Sequence, residues 1–231
     1  MLSPEEWQAI RLTLLVSAVA VLASLPLAIP LGWLLAKRRF AGKFILETLI
    51  NLPLVLPPVV TGYLLLVLFG RQGLLGSLFE RVFGLRFIFD WKGAALAAAI
   101  AAFPLLVRPI RLAFSSIDDR LVQAARTLGA GPFDAFWTIL FPLARTGILS
   151  GCVLAFARSM GEFGATIMIA GNIPGETQTV SLLIYSLLES PGGLQASVRL
   201  VIASVVIAAA ALLASELLDR RSRQRVHGAN A

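Results

Sequence analysis

Cysteine and histidine are nearly missing from this 231-residue chain, which has one of each, Cys152 and His227. A single cysteine excludes an intrachain disulfide, and no Cys/His cluster has the spacing of a metal site. The residues that usually perform acid–base or nucleophilic work are gathered nowhere, which points away from an enzyme with catalytic or metal-ligating residues. The nucleotide-binding pattern G-x-x-x-x-G-K-[ST] is missing too, since the sole Gly-Lys pair, Gly42-Lys43, is followed by Phe44. Charge is scarce, at 14% of residues against about a quarter in a soluble domain. In its place stand 58% hydrophobic residues and a mean hydropathy of +0.84, the composition of an integral membrane protein.

No charge interrupts residues 12–36, a run of roughly 37 Å as helix, enough to cross a ~30 Å hydrocarbon core with tilt. Further runs at 48–70, 93–107 with an extension past Arg108, 146–171 and 200–215 make five crossings the simplest count. The apolar helical face Val180, Leu183, Ile184, Leu187 and Leu188 is too short to span and is expected at the outer interface. If it crossed together with the segment after it, the count would be six and the termini would change sides.

Glu5 and Glu6 precede the first run and Lys37-Arg38-Arg39 follow it, the reverse of a signal peptide, so the run is expected to be retained. Thirteen basic residues fall on one set of alternate loops: Lys37, Arg38, Arg39 and Lys43; Arg108, Arg111, Arg120, Arg126 and Arg145; Arg220, Arg221, Arg223 and Arg225. Six fall on the other: Arg11, Arg71, Arg81, Arg86, Lys92 and Arg199. The positive-inside rule puts the thirteen in the cytoplasm, with the N-terminus outside and the C-terminus inside. The net charge of +7 is thereby explained as topology, and no basic stripe with interleaved aromatics suggests nucleic acid. The chain reads as one transmembrane domain, 1–231, ending in a basic cytoplasmic tail over 219–231, expected to be disordered from Arg220 to Ala231.

Prolines concentrate within the runs: Pro26 and Pro30, then Pro53, Pro57 and Pro58, then Pro104. Lipid offers no substitute for the hydrogen bonds they remove, so such breaks belong where neighbouring helices or a watery path satisfy the freed carbonyls. On the cytoplasmic side, Leu121, Ala124, Ala125 and Leu128 share one helical face, and Phe133, Phe136, Trp137 and Leu140 repeat the spacing. Gly129 suits a helix end and Pro132 the first turn of the next helix, which predicts two short amphipathic helices joined by a hinge.

The spacing Gln123-Ala124-Ala125, three residues, Gly129, nine residues, then Ile139-Leu140-Phe141-Pro142 resembles the loop of ATP-binding cassette (ABC) importer permeases. There the pattern is Glu-Ala-Ala, three residues, Gly, nine residues, Ile-x-Leu-Pro. Gln123 stands in place of Glu, so a partner charge that expected Glu loses its counterpart, and Phe141 stands in place of Leu. The resemblance implies an all-α integral membrane protein of the type I ABC importer permease fold, in a bacterial inner membrane, with a coupling loop over about 115–143. It also implies two copies of a cytoplasmic ATPase subunit that bind and hydrolyse ATP, a second copy of this chain and an external oxyanion-binding protein. This chain itself would bind no cofactor.

The exception to charge avoidance is Arg158 and Glu162, spaced i, i+4 in the fourth run. On insertion scales each costs roughly 2.5–3.5 kcal/mol at the bilayer centre, so they should pair or face water. They are either an internal ion pair that fixes helix rotation or part of an anion path with Gly161, Gly164 and Thr61. Gly161 and Gly164 would admit another backbone. The string from Ala155 to Thr166, with Gly161-Glu162-Phe163-Gly164 at its centre, and that from Leu52 to Tyr63 resemble permeases for tetrahedral oxyanions, the molybdate branch most. Tungstate and sulfate/thiosulfate permeases are the alternatives within the family. A secondary transporter would show an internal repeat, which is not evident, and a purely structural membrane subunit would leave the cytoplasmic helices without a purpose.

Overall fold

Each apolar run is helical in the computed structural model, which describes residues 3–227. α1 (Pro4–Lys37) opens on a capping box, in which the Ser3 hydroxyl accepts from the Glu6 amide at 3.2 Å and the Ser3 amide donates to Glu6 Oε2 at 2.6 Å. α5 (Trp91–Ser116) is capped by Asp90, whose carboxylate accepts from the Lys92 amide.

α1 and α5 pack with the long helix Pro132–Met160, which comprises α7 (Pro132–Ala135), a π turn at Phe136–Leu140 and α8 (Phe141–Met160). Leu35, Leu106, Ile110, Phe114, Ala144 and Ile148 are buried between them. Between helices in lipid, small residues permit the close approach that hydrophobic burial cannot drive. A Cβ on Gly32 would lie 2.6 Å from Ile110 Cγ2, and one on Gly151 would lie 2.7 Å from the Leu106 carbonyl oxygen. The alanine run in α5 has the same use: Ala94, Ala97 and Ala98 are wholly buried.

The sequence reads residues 48–70 as one span, but the structure breaks it into α2 (Lys43–Val55) and α3 (Pro58–Phe69), bent by 115°. Pro57 and Pro58 donate no N–H and push each preceding residue out of the helical region, so Leu56 takes φ −67° and ψ 140°. At about 18–20 Å neither half crosses alone. The pair nevertheless runs the length of α5. Glu47 and Asn51 on α2 bond Arg111 and Arg108 towards its C-terminal end, while Phe69 ending α3 packs edge-on against Phe87, just ahead of its first turn. Counted as one broken crossing, the pair brings the candidate spans to five among the described residues, and no sixth appears.

The fourth span also differs from residues 146–171. Its helix begins at Pro132, stops at Met160 and resumes as α9 (Gly164–Ala170) after a three-residue break. Glycines at 161 and 164 weaken the helix there, and Glu162 offers its side chain to the backbone instead.

α6 (Asp119–Thr127) lies between α5 and α7. α4 (Leu74–Phe83) and α10 (Val180–Leu188) lie in the two connections expected outside. α10 packs its buried Val180 and Leu183 against Ala9 and Ile10 of α1 and Leu200 of α11 (Gly193–His227). The expectation of a disordered tail from Arg220 is corrected: α11 continues to His227. Residues 219–227 contain no proline or glycine to stop it. Residues 228–231 lie outside the described set.

Gly62 of α3 approaches α9 closely enough that a Cβ would sit 2.7 Å from both Ala165 Cα and Met168 Cβ. Gly62→Val is therefore expected to cost about 1–3 kcal/mol through forced separation of these elements. The thermal midpoint of the detergent-purified chain should fall. Gly131→Ala, where a Cβ meets nothing within 4 Å, serves as the control and should leave it unchanged.

Candidate functional site

Two places carry the residues singled out from the sequence, and α8 joins them. The first is the loop between α5 and α8. Asp118 caps α6, its carboxylate accepting from the Arg120 amide at 2.9 Å. The helix closes on Gly129 at φ +94°, where the Gly129 amide donates to the Arg126 carbonyl at 3.1 Å and the Ala130 amide to the Ala125 carbonyl at 3.0 Å. This paired closure needs a residue in the left-handed region, and Gly129 takes it without a Cβ penalty.

The second half of the loop is not the separate short helix that the pattern suggests. α7 starts at Pro132 and runs straight into the membrane through the π turn, in which the Phe141 amide donates to the Phe136 carbonyl, five residues back. Pro142 explains the shift, because it has no N–H for the Thr138 carbonyl and its ring would crowd that oxygen. Ile139 sits half-buried in this turn and Pro142 is exposed in the first turn of α8.

Gln123, Ala124 and Gly129 are exposed and Ala125 half-buried. Beside them stand four large apolar side chains in the open: Leu121, Leu128, Phe133 and Trp137, with Leu128 90% exposed. Their backs are held rigidly. Phe136 reaches Trp33 of α1 and Phe114 of α5, both at 6.0 Å between ring centroids, and Lys37 Nζ bonds Asp119 Oδ1 at 2.5 Å and the Ile117 carbonyl at 2.6 Å. The aromatic spacing contained Phe136 and the charge count contained Lys37, but nothing in either pattern joined Lys37 to a residue 82 positions away.

The second place is the break after Met160. Arg158 Nη1 lies 2.9 Å from Glu162 Oε2, so the i, i+4 pair forms, although Glu162 stands beyond the end of α8 and not on its face. Its other oxygen accepts from the Ala165 amide at 3.0 Å, capping the start of α9. Gly164 meets another backbone, since a Cβ there would lie 2.8 Å from Pro58 Cβ and 3.3 Å from the Val59 amide nitrogen. Gly161 does not, because the nearest atom to its Cβ position is the Arg158 carbonyl oxygen at 3.9 Å. Thr61, on α3, is buried, and its hydroxyl has no hydrogen-bond partner among the described residues. The loop and the break lie at opposite ends of one 29-residue helix, about 43 Å long.

The helix thus has a break with a charged pair at one end and a loop with an exposed apolar tip at the other. Residues 28–224 match the family model described as binding-protein-dependent transport system inner membrane component, and the chain belongs to that family. The fold is that of type I ABC importer permeases. A solved bacterial alginate ABC transporter, crystallised with its alginate pentasaccharide-bound periplasmic protein, superposes with a TM-score of 0.72 over 95% of this chain and 80% of its own, at 18% identity. Within the family, the chain is 54% identical over 224 residues to the molybdenum transport system permease protein ModB of Escherichia coli, covering 97% of this chain and 98% of that one. It is 34% identical to the sulfate transport system permease protein CysT of Salmonella typhimurium, over 96% of this chain and 78% of that one.

The left-handed closure at Gly129 generates a local prediction. Gly129→Val places a β-branched residue at positive φ at a cost of roughly 1–2 kcal/mol. Limited proteolysis should then cut the loop several-fold faster, while the thermal midpoint of the membrane helices stays within a degree or two.

Proposed function

We propose that this chain is the membrane-spanning subunit of an ATP-driven importer of molybdate, acting as a pair of copies. Two cytoplasmic ATPases would dock on the α6–α7 tips, and an external binding protein would deliver the oxyanion to the opposite face. The excess of Lys and Arg on alternate loops supports a cytoplasmic α6–α7 tip and C-terminus and an external N-terminus. The observation that carries the substrate is the 54% identity to a molybdenum permease over nearly the whole of both chains.

The energetics require a driven machine. Bringing a dianion into a cell that is negative inside costs about 4.6 kcal/mol per 100 mV, so passive uptake would run outward. This chain carries no P-loop, and hydrolysis falls to a separate polypeptide. Leu121, Leu128, Phe133 and Trp137 supply the apolar surface that a partner would cover, with Gln123, Ala124 and Ala125 beside it. Closure of the ATPase pair would push on this tip, and the rod that begins at Pro132 would carry the displacement to Arg158, Glu162, Gly161 and Gly164, beside which Thr61 stands on α3.

Two measurements test the proposal. Radiolabelled molybdate uptake should disappear in cells lacking the chain and return with it, and tungstate should compete. Competition by sulfate as strong as that by unlabelled molybdate would reassign the substrate. For the docking tip, burial of one leucine is worth about 1.5–3 kcal/mol, so Leu128→Asp should weaken co-purification of the ATPase by about tenfold or more while membrane insertion is unchanged. Undiminished co-purification would remove Leu128 from the contact.

A further inference from the structure

We propose that Glu162 is a latch across a hinge in the fourth span, and that the imported dianion opens it by drawing Arg158 away. The inference rests on the import function proposed above. It begins with what is fixed and what is free on the two sides of residues 161–163. Beyond the break, α9 is clamped to α3, with Gly164 against Pro58 and Val59, and Gly62 against Ala165. Before the break, the end of α8 has room. Ala157, Met160 and Gly161 border a cavity of about 210 Å³, shared with Ile10, Thr13, Val180 and Ser204, and no backbone presses on Gly161. α9 is therefore held to α3, while the last turn of α8, beyond its close contacts with α5 at Gly147 and Gly151, has space to shift. The three residues between them absorb the difference.

One carboxylate bridges this joint. Oε1 of Glu162 holds the Ala165 amide of α9, and Oε2 faces the Arg158 guanidinium of α8. The pair is lopsided, for the Glu162 side chain is 2% exposed and that of Arg158 32%. A buried carboxylate that loses its cation is strongly disfavoured, so the pair holds α8 to α9 while nothing else competes for Arg158. Among the described residues Arg158 has no second ionic partner. Its planar fork of donors fits two oxygens of a tetrahedral oxyanion, and a dianion attracts it more strongly than a single carboxylate does. Ser159, next in the chain, buries a hydroxyl with no hydrogen-bond partner among the described residues, a further donor at the joint. When the dianion takes Arg158, Glu162 keeps its bond to Ala165 and α8 is released into the adjoining space. Glu162 is thus a positioning residue that reports the presence of substrate to the rod, and Arg158 is the residue that touches it.

The test uses the complete transporter, with its ATPase and binding protein, in proteoliposomes. ATP hydrolysis is read with the binding protein empty and then loaded with molybdate. Glu162→Gln keeps an oxygen for the Ala165 amide and removes the charge that restrains Arg158. Hydrolysis with the empty binding protein should rise several-fold, and the ratio of loaded to empty rates should fall towards one, with assembly by size exclusion unchanged. An unaltered ratio in the assembled variant would overturn the latch. If Glu162→Gln does not assemble, Arg158→Lys decides, since it keeps the charge but loses the fork. The ratio should then fall at least twofold, and an unchanged ratio rejects the proposal. Failure of the import reading looks different, because molybdate-loaded binding protein would then not stimulate the unaltered transporter at all.

Discussion

Helices surrounded by hydrocarbon gain nothing by hiding leucine from lipid, so the helix bundle rests on how closely backbones can approach. Gly32 seats Ile110 on α1, Gly151 admits the Leu106 carbonyl of α5, and Gly62 and Gly164 bring α3 against α9. Each contact fills the place of a side chain with another segment's main chain or with the base of its side chain. Dispersion between well-fitted surfaces does the work that water-driven burial does in soluble proteins. The proline breaks depend on the same fit. The break at Pro57 is followed by Pro58, which Gly164 of α9 approaches closely.

From this packing follows a division of the molecule into parts that are tied and parts that slide. α1, α5 and the loop are tied by Phe136 between Trp33 and Phe114 and by Lys37 on Asp119. α3 and α9 are tied through glycine. The single long helix from Pro132 to Met160 is anchored at its start by aromatic rings, packs along α5 through Gly147 and Gly151, and is joined at its far end to α9 by one ion pair.

Much of this was legible in the chain. The apolar runs gave the spans, Gly129 and Pro132 gave the corner of the loop, and the spacing of Arg158 and Glu162 gave the ion pair that forms at the break. What was not legible depended on competition between local and tertiary terms. Hydropathy averages over a window, so it shows neither the size of the 115° turn at Pro57 nor the end of the helix at residues 161–163. The π turn hides for a similar reason, since Pro142 was read as a motif anchor and not as a missing donor. In the tail, basic composition suggested disorder, yet the absence of proline and glycine let α11 run on to His227. The contacts of Lys37 and Gly62 involve partners distant in sequence, and no periodicity records them.

The Thr13 hydroxyl of α1 accepts from the Val180 amide, 167 residues later, and the Glu6 carboxylate beside it meets Arg199 of α11 at 3.6 Å. A ribosome delivers these partners long after α1 has entered the bilayer. The N-terminal third of α1 must therefore wait, with its carboxylate lacking this cation, until the start of α11 has been made. Closure of that end of the bundle comes late in synthesis, and a chain cut short before Arg199 would keep α1 in the membrane with that end still open.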